Sequence, residues 1–212
     1  FGAFISLRSP APSRRALFDM AVAGPLAGLA FAVPALLIGL PLSTIVADGA
    51  STAMSSMHGG GVNIGSSLLL ATLAKIGLGE QLVGHTLQLH PLACAGWLGL
   101  IVTALNLLPI GQLDGGHISD AMFGQRASAM ISTAAMFALF GLGLFVWSGL
   151  LFWAFIVFFI AGRKGLPPLN DLTPLSLPRL AVGWLAIAIL AAILIPVPHS
   201  LFESLGIRCP YL

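Results

Sequence analysis

Residues 100–117 read LIVTALNLLPIGQLDGGH, an apolar run that a proline and then an aspartate interrupt. A carboxylate at the centre of a membrane-spanning helix costs about 3 kcal/mol on insertion scales. Pro109 removes a backbone N–H and disfavours helical angles at Leu108, so we expect a helix to break just before Asp114. Non-helical backbone at membrane depth persists only where protein or a wet cavity covers it. The segment therefore predicts a polar pocket inside a bilayer.

The residues around Asp114 suit such a pocket. Asn106 supplies a side-chain amide, and Gly115 and Gly116 allow close approach of the backbone or unusual angles. Asp114 also has a simpler interpretation, as the N-cap of a helix that starts at Gly115. We favour a functional carboxylate over capping alone, because its location is costly.

The composition is that of an integral membrane protein. The 212 residues are 58% hydrophobic and only 8% charged, whereas soluble domains carry about a quarter charged residues. A net charge of +2 without a basic run gives no reason to expect nucleic-acid binding. Two cysteines make neither a disulfide framework nor a zinc-type spacing.

The apolar segments predict an all-α, polytopic transmembrane helical bundle of about five spans, with one helix broken at Pro109. Ser13 is placed to cap the first helix. Residues 127–161 would form a helix of about 52 Å, against a membrane core of about 30 Å, so we expect a hairpin that turns near Val146–Gly149. The expected spans are 16–40, 92–108, the two arms of 127–161, and 180–196.

Charge placement supports this count. With five spans, most of the basic residues fall on one side, as the positive-inside rule expects of a cytoplasmic face. The basic residues on the common side are Arg8, Arg14, Arg15, Arg126, Arg163, Lys164 and Arg179.

Asp19 follows Arg15 by four residues, which predicts a local ion pair.

Residues 41–91 differ from the spans. Three glycines at 59–61 and several serines mark a flexible stretch, which the amphipathic segment Leu68–Leu89 follows. We expect a loop with an interfacial or re-entrant helix on one side of the membrane.

The motif resembles the second signature of the site-2 proteases, which are intramembrane zinc metalloproteases. In this chain the signature comprises Asn106, Pro109 and the run Leu113–Gly116. The likeness extends over most of the chain, through segments 8–10, 18–19, 23–28, 90–97 and 170–175.

The resemblance implies a specific chemistry. Family members hold Zn²⁺ with two histidines of a His-Glu-x-x-His helix and with the aspartate that matches Asp114. The asparagine that matches Asn106 helps to position the substrate or an intermediate. Pro109, Gly115 and Gly116 would then support the site. His117 has open alternatives: contact with the metal site, a supporting role around it, or an interfacial position.

The chain departs from the family because none of its five histidines lies in a His-Glu-x-x-His motif. In the family that helix precedes the segment at which this chain begins. We therefore expect residues 1–212 to be a single membrane-embedded peptidase core that is N-terminally truncated, in preference to a degenerate pseudoprotease. Such a fragment would supply one zinc ligand and should be inactive by itself.

The resemblance implies an endopeptidase that cleaves transmembrane segments of membrane-anchored regulatory proteins. Its partners would be transmembrane substrates and the lipid bilayer, without nucleic acid, and the oligomeric state stays open. We expect a bacterial plasma membrane in preference to a plastid membrane. A secondary transporter is an alternative, because broken helices around a carboxylate are typical of transporters, although no internal repeat is evident. A catalytically inactive scaffold that binds transmembrane helices is another.

Overall fold

The computed structural model describes residues 11–47, 67–78, 85–145, 149–161, 169–170 and 173–194. Helices dominate these ranges, which confirms the predicted all-α class. One short antiparallel pair of strands, which the sequence did not predict, is added to them. The elements are α1 (Arg14–Gly39), β1 (Thr44–Ala47), α2 (Leu68–Leu78), β2 (His85–Gln88), α3 (Pro91–Leu107), α4 (Asp114–Phe145), α5 (Gly149–Ile156), which continues as a π-helical turn (Val157–Ala161), and α6 (Leu177–Leu194).

Three helices in the described ranges are long and apolar enough to cross a membrane: α1, α4 and α6. Helices α2 and α3 are apolar but shorter, and α3 is about 26 Å long against a core of about 30 Å. The predicted spans 16–40 and 180–196 correspond to α1 and α6, although residues 195–196 lie outside the described residues. The predicted span 92–108 corresponds to α3, one of the shorter helices. The total of five spans stays a prediction.

The chain divides into two compact units, of which unit 2 comprises Ala27–Ala104 and Ile189–Leu212. Its core is a cluster of buried aliphatic side chains from α1, α2 and α3, which includes Leu36, Leu70 and Leu100. The predicted amphipathic segment 68–89 forms the helix α2 only as far as Leu78. Its interfacial or re-entrant position stays a prediction, and residues 48–66 and 79–84 of that loop lie outside the described residues.

Unit 1 comprises Phe1–Leu26 and Leu105–Ala188. The cap that the sequence predicted at the start of α1 is confirmed, since Ser13 Oγ accepts a hydrogen bond from the N–H of Ala16 at 3.2 Å. Helix α1 is also tied to α4 here, because Nε of Arg14 donates to the carbonyl oxygen of Ala121 at 3.1 Å.

The predicted local ion pair between Arg15 and Asp19 is wrong. Arg15 donates instead to the carbonyl oxygen of Pro174 at 3.3 Å. Arg179 of α6 binds both carboxylate oxygens of Asp19, at 2.8 and 2.9 Å. The planar guanidinium group of Arg179 donates two hydrogen bonds to the carboxylate at once, so Asp19 pairs with Arg179 and not with Arg15 on its own helix.

Helix α4 is two helical arms joined at Gly124, where φ is +78° and ψ is +163°. A straight helix from Asp114 to Ser132 would be about 27 Å long. However, Ser132 Oγ lies 3.0 Å from the backbone nitrogen of Gly111, only three residues before Asp114. The second arm must therefore fold back along the first, and this reversal requires the backbone angles of glycine.

The predicted hairpin within residues 127–161 is confirmed. Helix α4 ends at Phe145 and α5 begins at Gly149, and residues 146–148, at the predicted turn, lie outside the described residues. The two arms are packed together: the ring centroid of Phe140 lies 5.5 Å from that of Phe155, in an edge-to-face arrangement.

Candidate metal centre and substrate site

The break between α3 and α4 confirms the prediction made from Pro109. Helix α3 ends at Leu107 and α4 begins at Asp114. In the six residues between them, the N–H of Ile110 donates to the carbonyl oxygen of Leu108 at 2.7 Å, and the N–H of Leu113 donates to that of Ile110 at 3.1 Å. These short-range bonds satisfy backbone groups that the interrupted helix leaves without partners.

Gly111 is the point at which the break is fixed to the rest of unit 1. Its φ of +50° lies in the left-handed region, which glycine enters at little cost. Its N–H donates to Ser132 Oγ at 3.0 Å. Its carbonyl oxygen lies against Gly116, where an added Cβ would overlap it. The N–H and the carbonyl group of Gly111 are therefore both in contact with α4.

Asp114 is buried at the start of α4, with 5% of its surface exposed. Its Oδ1 has no hydrogen-bond partner in the structure, so this oxygen does not cap the helix. Its Oδ2 faces α1, since a Cβ added at Gly24 would lie 3.0 Å from it. A buried carboxylate oxygen without a donor is expensive unless a cation or another donor compensates it.

The two glycines after Asp114 allow the break to close tightly. An added Cβ at Gly115 would overlap the carbonyl oxygen of Leu107 and would lie 2.6 Å from that of Leu108. An added Cβ at Gly116 would lie 3.0 Å from the carbonyl oxygen of Ile110. The end of α3 and the start of α4 are thus in direct backbone contact.

This contact brings Asn106 and Asp114 onto adjoining pieces of backbone. Asn106 precedes Leu107, and Asp114 precedes Gly115, so each is the chain neighbour of one member of the contacting pair. Oδ1 of Asn106 is also buried without a hydrogen-bond partner. Two side chains that the sequence singled out therefore both leave an oxygen available for a ligand.

The remaining predicted site residues also lie at the break. His117 is buried on the first turn of α4, with 2% of its surface exposed, and its N–H donates to the carbonyl oxygen of Leu113. Pro109 is half-buried between the two helices. The structure thus places every predicted site residue in one segment of unit 1.

The donor set fits a metal ion only in part. The free oxygen of Asp114 is a suitable zinc ligand, but a catalytic zinc ion takes three protein ligands. In the part of the chain that the structure describes, no group of three histidine, cysteine, aspartate or glutamate side chains could hold a metal ion. The described residues therefore fit a zinc site as the source of one ligand, Asp114, and such a site needs further ligands.

A short helical arm separates Asp114 from exposed polar residues. Gln125 and Arg126 are exposed beside the reversal at Gly124. The first arm of α4 runs about 15 Å from Asp114 to the reversal. That length is half of a membrane core of about 30 Å.

Three features of the site were not predicted from the sequence. Gly24 was noted only within segment 23–28, which carries part of the family likeness, and its contact with Asp114 is a tertiary fact. Ser132 carried a weak signal, as a hydroxyl within an apolar span. Gly124 carried none beyond being a glycine next to charged residues.

The sequence profile of peptidase family M50 matches residues 1–148 of the chain. The chain belongs to peptidase family M50. This is the family of the site-2 proteases, so the resemblance drawn from Asn106, Pro109 and Asp114 is confirmed. Metalloproteases embedded in membranes are characteristic of this family.

Curated relatives that are named zinc metalloproteases agree with this assignment. The chain is 36% identical over 214 residues to the probable zinc metalloprotease EGY1, chloroplastic, of Arabidopsis thaliana, covering 98% of this chain and 37% of that protein. It is 29% identical to the probable zinc metalloprotease EGY2, chloroplastic, of the same plant, covering 94% and 35%. It is also 38% identical over 148 residues to the DDT domain-containing protein PTM of Arabidopsis thaliana, covering 68% of this chain and 8% of that protein.

The chain spans little more than a third of the length of the metalloproteases that it matches. These relatives are named chloroplastic, so they give no support to the expected bacterial plasma membrane. No solved structure matches the chain with significance.

Proposed function

We propose that the chain is part of the membrane core of a zinc-dependent intramembrane endopeptidase and that Asp114 is one of its metal ligands. The observation that carries this proposal is the carboxylate of Asp114, which is buried within a helix break and has an oxygen without a partner. A divalent cation compensates such a carboxylate better than any neutral group does.

Zinc, when bound, would activate water for attack on a peptide bond and would polarise the peptide carbonyl. The chain's own contribution is to hold its ligand rigidly. Gly115 and Gly116 press the start of α4 against the end of α3, and Gly24 leaves room beside Oδ2 of Asp114. His117, buried one turn further on, would support the ligand from within the same helix.

We propose that the side-chain amide of Asn106 binds the substrate. An amide group carries both a hydrogen-bond acceptor and donors. Oδ1 of Asn106 is buried without a partner, so it can accept a backbone N–H of an extended substrate. Its NH₂ group can donate to the negative charge that develops on the peptide oxygen during hydrolysis.

The substrates that fit this site are transmembrane segments of membrane-anchored regulatory proteins. Asp114 lies about 15 Å from the charged reversal of α4, so a bond that reaches it must itself enter the membrane. The chloroplastic relatives support a plastid membrane as the location. The proposed partners are these transmembrane substrates and the lipid bilayer, without nucleic acid.

Residues 1–212 by themselves should not hydrolyse peptides. Asp114 provides one ligand, while a catalytic zinc ion takes three from the protein. The histidines and the glutamate of the family's His-Glu-x-x-His motif would have to be contributed by sequence outside these residues. The complete protein is therefore the one to assay.

A catalytically inactive membrane scaffold is the second candidate. The observation behind it is that the chain also matches 8% of the DDT domain-containing protein PTM, which is named for a DDT domain. The scaffold would keep the fold and bind transmembrane helices without a metal. Membership of a peptidase family gives no support to the third reading, a secondary transporter.

The proposal is tested with the complete protein reconstituted into lipid, with a single-pass membrane protein as substrate. Asp114→Asn should lower the cleavage rate by more than about 100-fold, because loss of an outer-shell partner alone costs 10–100-fold. Asp120→Asn neutralises a carboxylate on the same arm of α4 and is the matched control, which should leave the rate within about twofold. Equal rates for Asp114→Asn and the wild type would refute the proposal, and an inactive wild type would favour the scaffold.

A further inference from the structure

The hydroxyl of Ser132 has no part in the chemistry proposed above, yet it is bound to the turn that leads into Asp114. Its Oγ accepts a hydrogen bond from the N–H of Gly111 at 3.0 Å. Ser132 lies in the second arm of α4, where it is half-buried. Only the reversal at Gly124 brings it back to the break.

The bond matters because of where Gly111 lies. Pro109 and the left-handed angles of Gly111 take this backbone out of any helix, so its N–H groups must find partners elsewhere. Ile110 and Leu113 find carbonyl oxygens within the turn, whereas the N–H of Gly111 is bound by a side chain. In the membrane interior that the proposed function implies, water is scarce, and an N–H that loses its partner there cannot be resolvated cheaply.

The opposite side of Gly111 is fixed as well. Its carbonyl oxygen lies against Gly116, so this residue is clamped between Ser132 and the first turn of α4. Asp114 follows three residues later and has no bond of its own from Oδ1 that would orient it. Its Oδ2 faces Gly24 of α1, and the position of the whole side chain depends on the turn that leads into it.

We propose that Ser132 is a positioning residue for the metal ligand Asp114. It acts through Gly111: its hydroxyl fixes the turn at Gly111 through a hydrogen bond, and the turn orients the carboxylate of Asp114. The metal part of this inference rests on the proposed function, whereas the holding of the turn does not. Metal sites tolerate shifts of only about 0.2 Å in ligand distance, so a small change in the turn has a large effect on affinity.

The test uses three variants of the complete protein. Ser132→Ala removes the hydroxyl with little change in volume. Ser132→Thr keeps a hydroxyl at the same position. Thr133→Ala is the matched control, since the Thr133 hydroxyl bonds to the carbonyl oxygen of Ala129 in its own helix at 2.8 Å.

Two readouts are measured on each variant. Hydrogen–deuterium exchange, followed in peptides that cover residues 108–117, reports whether the turn is held. Competition with a zinc chelator reports metal affinity. Ser132→Ala should speed the exchange of Gly111 by at least about tenfold and weaken zinc binding by about 10–100-fold, the usual loss when an outer-shell partner is removed. Ser132→Thr should restore both to within about threefold, and Thr133→Ala should change neither.

Each other outcome counts against the inference. Unchanged exchange in Ser132→Ala, or an equal loss in Thr133→Ala, shows that the hydroxyl does not hold the turn. Faster exchange together with wild-type zinc affinity shows that the turn does not aim the carboxylate. If the wild type binds no zinc at all, the proposed function and the aiming of a ligand fail together. The exchange rates then still decide whether Ser132 holds the turn.

Discussion

Asp19 and Asp114 are both aspartates of apolar helices, and the protein treats them in opposite ways. The side chain of Asp19 is 52% exposed and accepts two hydrogen bonds from Arg179. Asp114 is 5% exposed, and its Oδ1 has no partner. Arg179 compensates the charge of Asp19. Within the described residues, no hydrogen-bond donor compensates Oδ1 of Asp114. Under the proposed function, this difference separates a structural carboxylate from a metal ligand.

The surroundings of the two aspartates also differ: one side chain is solvated and the other is enclosed. Asp19 lies at the level of Arg14 and Arg15, near the first turn of α1, where water reaches it. Asp114 is enclosed by backbone, with Gly115 and Gly116 closing the break on one side and Gly24 on the other. A solvated ion pair contributes little to stability. An enclosed carboxylate is costly and persists only where it is used.

The largest effect is expected when a side chain is added at Gly115, the residue that follows Asp114. Gly115→Ala places a methyl group on the carbonyl oxygen of Leu107, and backbone cannot move aside as a side chain can. We expect a loss of about 3 kcal/mol in stability, together with loss of zinc binding. The Asp19–Arg179 pair should be unaffected. The apparent midpoint of thermal unfolding in detergent measures the first effect.

Gly141→Ala is the control for this prediction, because no atom lies within 4 Å of an added Cβ there. It should leave zinc binding unchanged and keep or slightly raise stability, since alanine is favoured over glycine in a helix by about 0.5–1 kcal/mol. Equal midpoints for the two variants would mean that the break is not packed as tightly as described.

An intermediate effect is expected where α1 meets the two polar groups. A methyl at Gly24 would lie 3.0 Å from Oδ2 of Asp114, and one at Gly28 would lie 2.8 Å from Oγ1 of Thr103. Gly24→Ala should therefore weaken zinc affinity by about tenfold, as changes next to a metal ligand do. Gly28→Ala should lower stability without that loss, because Thr103 already bonds to the carbonyl oxygen of Gly99. Chelator competition distinguishes them, and similar zinc affinities in the two variants would contradict the contact at Gly24.

The smallest effect is expected at the exposed aspartate. Asp19→Asn keeps the shape of the side chain and removes its charge, and exposed ion pairs are screened by water and salt. Zinc content and cleavage rate should both stay within about twofold of the wild type. A large loss of either would mean that the comparison between the two aspartates is mistaken.

Much of this could be predicted from the sequence, because local rules decide it. Pro109 forbids a regular helix at its position, and the polar residues next to it could belong only to a covered break. The length of 127–161 against a membrane core predicted the hairpin, and Ser13 predicted the start of α1. The Asn106–Asp114 segment also carried enough pattern to predict the family.

The long-range contacts could not be predicted in this way. Arg179 competes with Arg15 for Asp19 from 160 residues away, and its advantage is geometric rather than local. Ser132 reaches Gly111 only because Gly124 reverses α4, and a glycine in an apolar run predicts a kink no better than it predicts close packing. The strand pair β1–β2 is four residues long on each side, too short for its pattern to be distinguished from a loop.

The zinc content of the complete protein, with and without Asp114→Ala, tests the central claim most directly. Metal analysis of purified protein should find about one zinc ion per wild-type chain and a small fraction of that in the variant, at equal folded amounts. Equal zinc content in both, or none in a correctly folded wild type, would contradict the assignment of Asp114 as a metal ligand.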